Sequence, residues 1–215
     1  MPKTVDYQMY CPIARALDIL GDRWTLLIMR ELTLGERRFT DLRTYLPGIP
    51  PNLLSQRLKA LTDEGLVTTR ELPPPAARTV YVATEAGMST VPVLRSLIRF
   101  GMQHLEPADR TTSIRPLNAV VTSIKAFYDR AAAGDLDEHY VAVIDGQSFD
   151  LFSAAGGHAA HDAGPVDLTL TLPAWLLMDI RRGALTLGDA LRDGTATKTG
   201  TARALRNFQR VFQFA

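Results

Sequence analysis

The sequence is poor in cysteine, with one thiol, Cys11, in 215 residues. A single cysteine cannot form a disulfide within the chain, which fits a protein of the reducing cytoplasm. No apolar run approaches the roughly 20 residues that a membrane-spanning helix needs. The first residues, MPKTVD, also lack the apolar core of a secretion signal. We therefore expect a cytoplasmic protein that does not insert into membranes.

Catalytic signatures are missing as well: there is no glycine-rich phosphate loop, no nucleophile elbow and no Cys-x-x-Cys pair. His158 and His161, followed by Asp162, resemble a metal-binding pair. They lie in a glycine-rich segment without a third ligand in register, whereas zinc sites use three or four protein ligands. The sequence predicts a protein that is not an enzyme and that uses no metal or cofactor.

Neither sign of charge predominates, since 24 Lys and Arg face 23 Asp and Glu and the formal net charge is +1. Residues 23–82 hold nine Lys and Arg against six Asp and Glu, whereas residues 107–215 hold eleven against twelve. A mild cationic excess in the front half fits a surface that faces phosphates. The length allows two domains of about 100 residues each.

Residues 38–65 contain two short segments whose apolar residues recur at spacings of three and four: Phe39, Leu42 and Leu46, then Leu54, Leu58 and Leu61. A Pro-Gly corner separates them. Two helices joined by a short turn are typical of a helix-turn-helix, whose second helix enters the DNA major groove. The same pattern also fits an ordinary helical hairpin. Helices are predicted before it at residues 12–20 and 23–34, the latter with a buried face of Trp24, Leu27, Ile28 and Leu32.

Two runs rich in β-branched residues, 66–72 and 79–83, flank a proline-rich segment and predict a β-hairpin. A hairpin directly after a helix-turn-helix is a wing, and its Arg70 and Arg78 are placed to contact the DNA backbone or minor groove. Helical periodicity then runs from Thr84, an N-cap residue, to about His104. Because this long helix has spare apolar surface, it predicts a dimer interface.

Residues 11–105 resemble the HxlR family of winged helix-turn-helix transcriptional regulators. The resemblance rests on the order and spacing of five segments, at residues 11–32, 38–42, 46–49, 54–61 and 64–67. It implies a homodimer that binds a roughly palindromic DNA operator with two recognition helices about 34 Å apart. Some family members carry a redox-sensing thiol where this chain has Cys11, which raises the hypothesis of a sensor. The alternative is that Cys11 is a small buried apolar residue.

The second predicted helix departs from the family pattern at its start. Pro50, Pro51 and Asn52 stand where family members usually have a serine and a basic residue. The residues that read bases therefore do not follow from the family. The predicted DNA-binding residues are Arg38, Asn52, Ser55, Gln56, Arg57, Lys59, Arg70 and Arg78, of which Asn52 and Gln56 can bind adenine in a bidentate manner. Alternatively, each is only a solvated helix residue.

Beyond a polar segment after Glu106, the periodicity changes, and we place a domain boundary between residues 106 and 107. A helix is predicted over residues 116–133, then a hairpin around Asp145-Gly146, a strand at 167–172, helices from 173 and 187, a strand at 194–200 and a closing helix to 212. This order predicts an α+β domain.

Most of residues 115–215 also resemble a sterol-carrier-protein-type domain. The matching segments are residues 167–173, 175–180, Gly183, 189–196 and 200–201, followed by the helix that ends at Phe212. The resemblance implies an apolar cavity for a hydrophobic or lipid-like ligand, with six candidate lining residues: Trp175, Leu176, Met178, Leu205, Phe208 and Phe212. Apolar residues at this spacing also fit a plain core.

The sequence thus predicts an α+β chain with a winged helix-turn-helix domain at residues 1–106 and a sterol-carrier-like domain at residues 107–215. The predicted function is dimeric, sequence-specific transcriptional regulation controlled by a hydrophobic effector. The alternative is a hydrophobic-ligand carrier whose winged domain serves only for dimerisation or protein contacts.

Overall fold

A computed structural model describes residues 7–73, 78–107, 114–153 and 164–214. The chain divides into two units between Leu94 and Arg95. Each unit has its own cluster of buried apolar side chains. The domain boundary expected between residues 106 and 107 stays a prediction. In the described ranges, no helix combines the length and apolar character that crossing a bilayer requires.

The first unit contains the expected helix-turn-helix and wing. Four helices come first, α1 (Pro12–Leu20), α2 (Thr25–Thr33), α3 (Phe39–Tyr45) and α4 (Pro51–Asp63). The strands β1 (Val67–Glu71) and β2 (Thr79–Ala83) pair antiparallel and are followed by α5 (Glu85–Met88) and α6 (Val91–Gln103). Because the units divide at Leu94, α6 begins in the first unit and ends in the second.

Leucines at helical spacing hold α4 in the first unit. Leu54, Leu58 and Leu61 are almost fully buried in one cluster with Ile28, Met29 and Leu32 of α2 and Leu42 of α3. Fully burying a side chain of this kind contributes roughly 1.5–3 kcal/mol. The prediction that Leu27 is also buried is wrong: it is 42% exposed, because it lies off the buried face of α2.

The single helix predicted from Thr84 to His104 is wrong, because α5 and α6 are separate. The hydroxyls of Ser89 and Thr90 donate to backbone carbonyls three residues back, at 2.6 and 2.7 Å. Such bonds compete with helical hydrogen bonds. Pro92 then lies in the first turn of α6, where its missing N–H is tolerated. Thr84 is the N-cap of α5 as predicted, accepting the N–H three residues on at 3.0 Å.

The second unit combines helices with a four-stranded sheet. Its elements are α7 (Pro116–Ser123), a 3-10 turn (Lys125–Phe127), α8 (Arg130–Ala133), β3 (His139–Ile144), β4 (Gln147–Phe152), β5 (Val166–Leu172), α9 (Ala174–Arg181), α10 (Leu187–Asp193), β6 (Thr197–Gly200) and α11 (Ala202–Val211). The strand order is β4-β3-β5-β6, with β3 and β5 parallel and the other pairs antiparallel. Asp145 and Gly146 both have positive φ in the β3–β4 turn, as an Asp-Gly hairpin requires. The resemblance to a sterol-carrier domain stays a prediction.

The prediction of one continuous helix over residues 116–133 is also wrong. The structure has three separate elements there, α7, the 3-10 turn and α8. Asp129 starts α8 by accepting the N–H groups of Ala131 and Ala132 at 2.9 and 3.0 Å. The backbone N–H of Asp129 donates to Val211 of α11 at 2.8 Å. This contact over 82 positions leaves no trace in the local periodicity.

A carboxylate is buried in the second unit. Glu138 accepts hydrogen bonds from the Tyr140 hydroxyl and the Asn207 carboxamide, both at 2.8 Å. Burial, and then the neighbouring Glu138, raise the pKa of Tyr140 above its ordinary value. The hydroxyl therefore stays protonated and keeps donating, which satisfies a buried carboxylate that would otherwise be costly.

We expect Gly87→Ala to destabilise the protein and Gly101→Ala to stabilise it slightly. A Cβ at Gly87 would lie 2.1 Å from the carbonyl oxygen of Leu66, whereas at Gly101 nothing lies within 4 Å. Overpacking costs about 1–3 kcal/mol, and alanine in an open helical position gains roughly 0.5–1 kcal/mol over glycine. Chemical denaturation measures both free energies of unfolding. Equal values for the two variants would contradict the close packing at Gly87.

Candidate nucleic-acid interface

The helix α4 turns a polar face to solvent. Its first turn begins with proline, which needs no N–H donor there. Opposite the buried leucines, four of the predicted DNA-binding residues are exposed: Asn52, Ser55, Gln56 and Lys59. They are spaced by three and four positions and therefore share one side of the helix. The structure places these four side chains on a single surface.

A short turn sets the direction of α4 relative to α3. Gly48 adopts a φ of 91°, a conformation that glycine takes at little cost. Ile49 is buried, and its N–H donates to the carbonyl of Leu46 at 3.2 Å. The turn is therefore anchored in the same core that receives the leucines of α4.

Arg57 differs from the other predicted DNA-binding cations. Its side chain is only 18% exposed and pairs with Asp22, in the connection between α1 and α2. Its Nε is buried without a hydrogen-bond partner among the described residues. Because Asp22 is 35% exposed, the pair is only partly buried, and the loss of either member would leave a charge that water stabilises in part. Arg57 thus links α4 to the preceding helices.

Lys59 and Arg70 are held loosely by comparison. Lys59 pairs with Asp63 at 2.9 Å, and Arg70 pairs with Glu36 across the wing. All four side chains are more than a third exposed. Exposed pairs of this kind contribute about 0–1 kcal/mol. Either cation can therefore exchange its carboxylate for a phosphate at small cost.

The remaining cations lie around the wing. Arg78 is exposed immediately before β2. Arg38 occupies the N-cap position of α3, where its backbone N–H donates to the carboxylate of Asp41 at 2.9 Å. Sequence reasoning missed Arg37, which exchanges two backbone hydrogen bonds with Tyr81 of β2 at 2.8 and 3.0 Å. An isolated backbone bridge has no sequence signal, yet it ties the start of α3 to the wing.

Cys11 is the N-cap residue of α1 and is partly exposed. Its carbonyl accepts the N–H of Arg15 at 3.0 Å. The hypothesis of a redox-sensing thiol stays a prediction.

The six residues predicted to bind a ligand belong to the second unit. Leu176, Met178, Phe208 and Phe212 are buried in its core, while Trp175 and Leu205 pack against that core and are partly buried. The rings of Phe208 and Phe212 lie 5.0 Å apart, and that of Tyr140 lies 5.4 Å from Phe208. Their role in binding a hydrophobic ligand stays a prediction.

The possible metal pair, His158 and His161 with Asp162, lies outside the described residues. Within the described ranges, no three His, Cys, Asp or Glu side chains come together in a way that could hold a metal ion.

Comparison with known proteins finds relatives of the first half of the chain. Residues 19–109 match the model of the HxlR-like helix-turn-helix family. The HTH-type transcriptional regulator YvaP of Bacillus subtilis is 33% identical over 99 residues, which are 46% of this chain and 92% of that protein. The regulator sll1512 of Synechocystis is 34% identical over 96 residues, 45% of this chain and 71% of its own length.

Among solved structures, the reduced form of the transcriptional regulator YodB from Bacillus subtilis is 32% identical to this chain, with a TM-score of 0.41. The match covers 47% of this chain and the whole of the YodB chain. The family match contains the helix-turn-helix, the wing and α6, whereas residues 110–215 lie beyond it. On the match to the family model and the identity to YvaP over nearly its whole length, the chain belongs to the HxlR family of helix-turn-helix transcriptional regulators.

Proposed function

We propose that the protein is a homodimeric transcriptional regulator that reads a DNA operator with α4 and responds to a hydrophobic effector in its C-terminal half. The exposed polar face of α4 carries the proposal. The buried leucines hold this helix in place, and the side chains on its outer face offer hydrogen-bonding groups to base edges. Membership of a family of transcriptional regulators supports the DNA-binding part.

Asn52 and Gln56 are the proposed base-reading residues. They lie one helical turn apart, and a carboxamide offers a donor and an acceptor that match adenine in the major groove. Ser55, between them, supplies a hydroxyl for a base or a phosphate. Pro51 has no N–H, so the start of the helix has one backbone donor fewer for a phosphate. We propose that Lys59 and the wing cations make the phosphate contacts instead.

Dimerisation is proposed to use α6. Val93, Leu97 and Phe100 follow one another at spacings of four and three and are 44%, 45% and 63% exposed. Large apolar side chains in a row are costly in water, and a second copy of the same helix would cover them. A two-fold dimer would offer one α4 to each half-site of an operator, about 34 Å apart.

The effector is proposed to bind in the C-terminal domain, residues 107–215. Trp175 and Leu205 are partly buried and pack against the core that contains Phe208 and Phe212. A hydrophobic molecule would have to enter between these side chains. Binding would regulate the protein only if it favoured one dimer arrangement over another by a difference in free energy.

We expect Gln56→Ala and Asn52→Ala each to weaken binding to the protein's own promoter fragment and to relax discrimination at one base pair. A lost bidentate contact costs roughly 1–3 kcal/mol. Fluorescence anisotropy at several salt concentrations measures both the affinity and its salt dependence. Lys59→Ala should instead lower the salt slope by about one, because it removes one phosphate contact.

Gln147→Ala is the matched control, since Gln147 is an exposed glutamine on β4 in the second unit. It should bind DNA like the wild-type protein. Binding unchanged in the Asn52 and Gln56 variants would remove α4 as the reading helix.

We expect Leu97→Glu to dissociate the dimer, because two carboxylates would be buried without partners across the two-fold axis. Such a charge costs roughly 3–5 kcal/mol, or more than a hundredfold in the dissociation constant. Sedimentation velocity over a range of protein concentrations measures it. Val166→Glu is the control, because Val166 of β5 is 47% exposed against 45% for Leu97. A monomeric wild-type protein would refute the proposed interface. A Leu97→Glu variant that remains dimeric would refute it as well.

A further inference from the structure

The second unit contains a cavity that the proposed function does not use. Its volume is about 260 Å³. Six side chains line it: Arg99, Met102 and Gln103 of α6, Phe127 of the 3-10 turn, Arg181 of α9, and Gln213 after α11. Two guanidinium groups therefore share a small cavity with two carboxamides, a thioether and a phenyl ring.

Arg181 supplies a fixed positive charge to this cavity. Its guanidinium donates to the carbonyls of Ser123, Phe212 and Gln213, each at 2.6 Å. It also lies 4.0 Å from the ring centres of both Phe127 and Phe214. Burial, and then the like charge of Arg99, lower the pKa of Arg181. An anion in the cavity would relieve that repulsion without needing a direct hydrogen bond from Arg181.

Within the described ranges, Arg99 donates fewer hydrogen bonds than Arg181 does. Its Nε donates to the carbonyl of Ala126 at 3.2 Å, and its guanidinium lies 5.5 Å from the ring centre of Phe127. Among the described residues, no ion pair includes Arg99 or Arg181. The pKa of Asp129 is lowered, first by the hydrogen bond from the backbone N–H of Ala132 and least by the positive charge of Arg99. The oxygens of Asp129 already accept from two backbone N–H groups of α8 and from Gln213.

We infer that this cavity binds a small organic carboxylate. The carboxylate would bind the terminal nitrogens of Arg99, whose planar fork suits two parallel hydrogen bonds. The carboxamides of Gln103 and Gln213 would add polar contacts. The apolar body would lie against Phe127 and Met102, of which Met102 is buried in the core. A volume below the roughly 300–1,000 Å³ of drug-sized pockets favours a molecule much smaller than a lipid.

The position of Arg99 gives such a ligand a route to regulation. Arg99, Met102 and Gln103 lie on α6, the helix that begins in the first unit and ends in the second. A ligand that orders the end of α6 alters the helix proposed to form the dimer. This regulatory effect rests on the proposed function, whereas the binding site itself does not.

Calorimetric titration of the full chain with benzoate and with benzamide, its uncharged isostere, tests the site. We expect benzoate to bind and benzamide to bind roughly tenfold more weakly or not at all, because only the acid forms a charge-assisted pair. Arg99→Gln should lower the affinity for benzoate roughly tenfold or more, and Arg99→Lys should restore part of it by keeping the charge.

Arg206→Gln is the matched control, because Arg206 is an exposed arginine of α11 outside this cavity. It should bind benzoate like the wild-type protein. Equal binding of benzoate and benzamide, or equal losses in Arg99→Gln and Arg206→Gln, would overturn the inference. Inorganic phosphate binding as tightly as benzoate would also overturn it, since recognition of the apolar body would then be absent.

DNA binding without benzoate is measured separately by anisotropy. A protein that binds benzoate through Arg99 but not DNA would refute the proposed function and leave the site standing. A protein that binds DNA but not benzoate would do the reverse.

Discussion

The burial of one row of leucines on α4 is the interaction on which the first unit depends. Leu54, Leu58 and Leu61 enter the same core as the apolar face of α2. Residues three and four positions from an inward-facing leucine share its face, whereas Asn52 and Gln56, each two positions from Leu54, lie on the opposite side of the helix. The outward direction of Asn52 and Gln56, the proposed base-reading residues, is therefore decided by the buried leucines of the same helix. A regulator that reads bases with side chains needs such a rigid support.

The cations of the first unit show how one residue type takes different roles in different surroundings. Arg57 is drawn into a partly buried pair with Asp22, whereas Lys59, two positions on, is held only by an exposed aspartate. A partly buried pair restrains its partners more than an exposed pair, which exchanges readily with water and ions. In the proposed function, the exposed cations would adjust to the phosphates while the polar face of α4 keeps a fixed position for base reading.

Local patterns predicted the leucine row, the wing and the Asp145-Gly146 hairpin, because each depends on spacing or turn chemistry within a few residues. They missed the breaks at Ser89-Thr90 and at Asp129, where side chains bond to the backbone without disturbing the apolar period. They also missed the pairing of Arg57 with Asp22, since the partner lies 35 residues away. Apolar residues that pack a core and those that line a cavity share one pattern, so Phe208 and Phe212 could not be assigned from the sequence.

Because α6 belongs to both units, it limits how the two halves of the chain can be exchanged between proteins. It starts in the first unit, yet Met102, near its end, belongs to the core of the second. A recombinant chain joined after α6 would deprive the second half of a core side chain and of one wall of its cavity. The second half is therefore portable only together with α6, the helix proposed to carry the dimer contact. Swapping it between regulators would carry the proposed dimer helix along with the proposed ligand cavity.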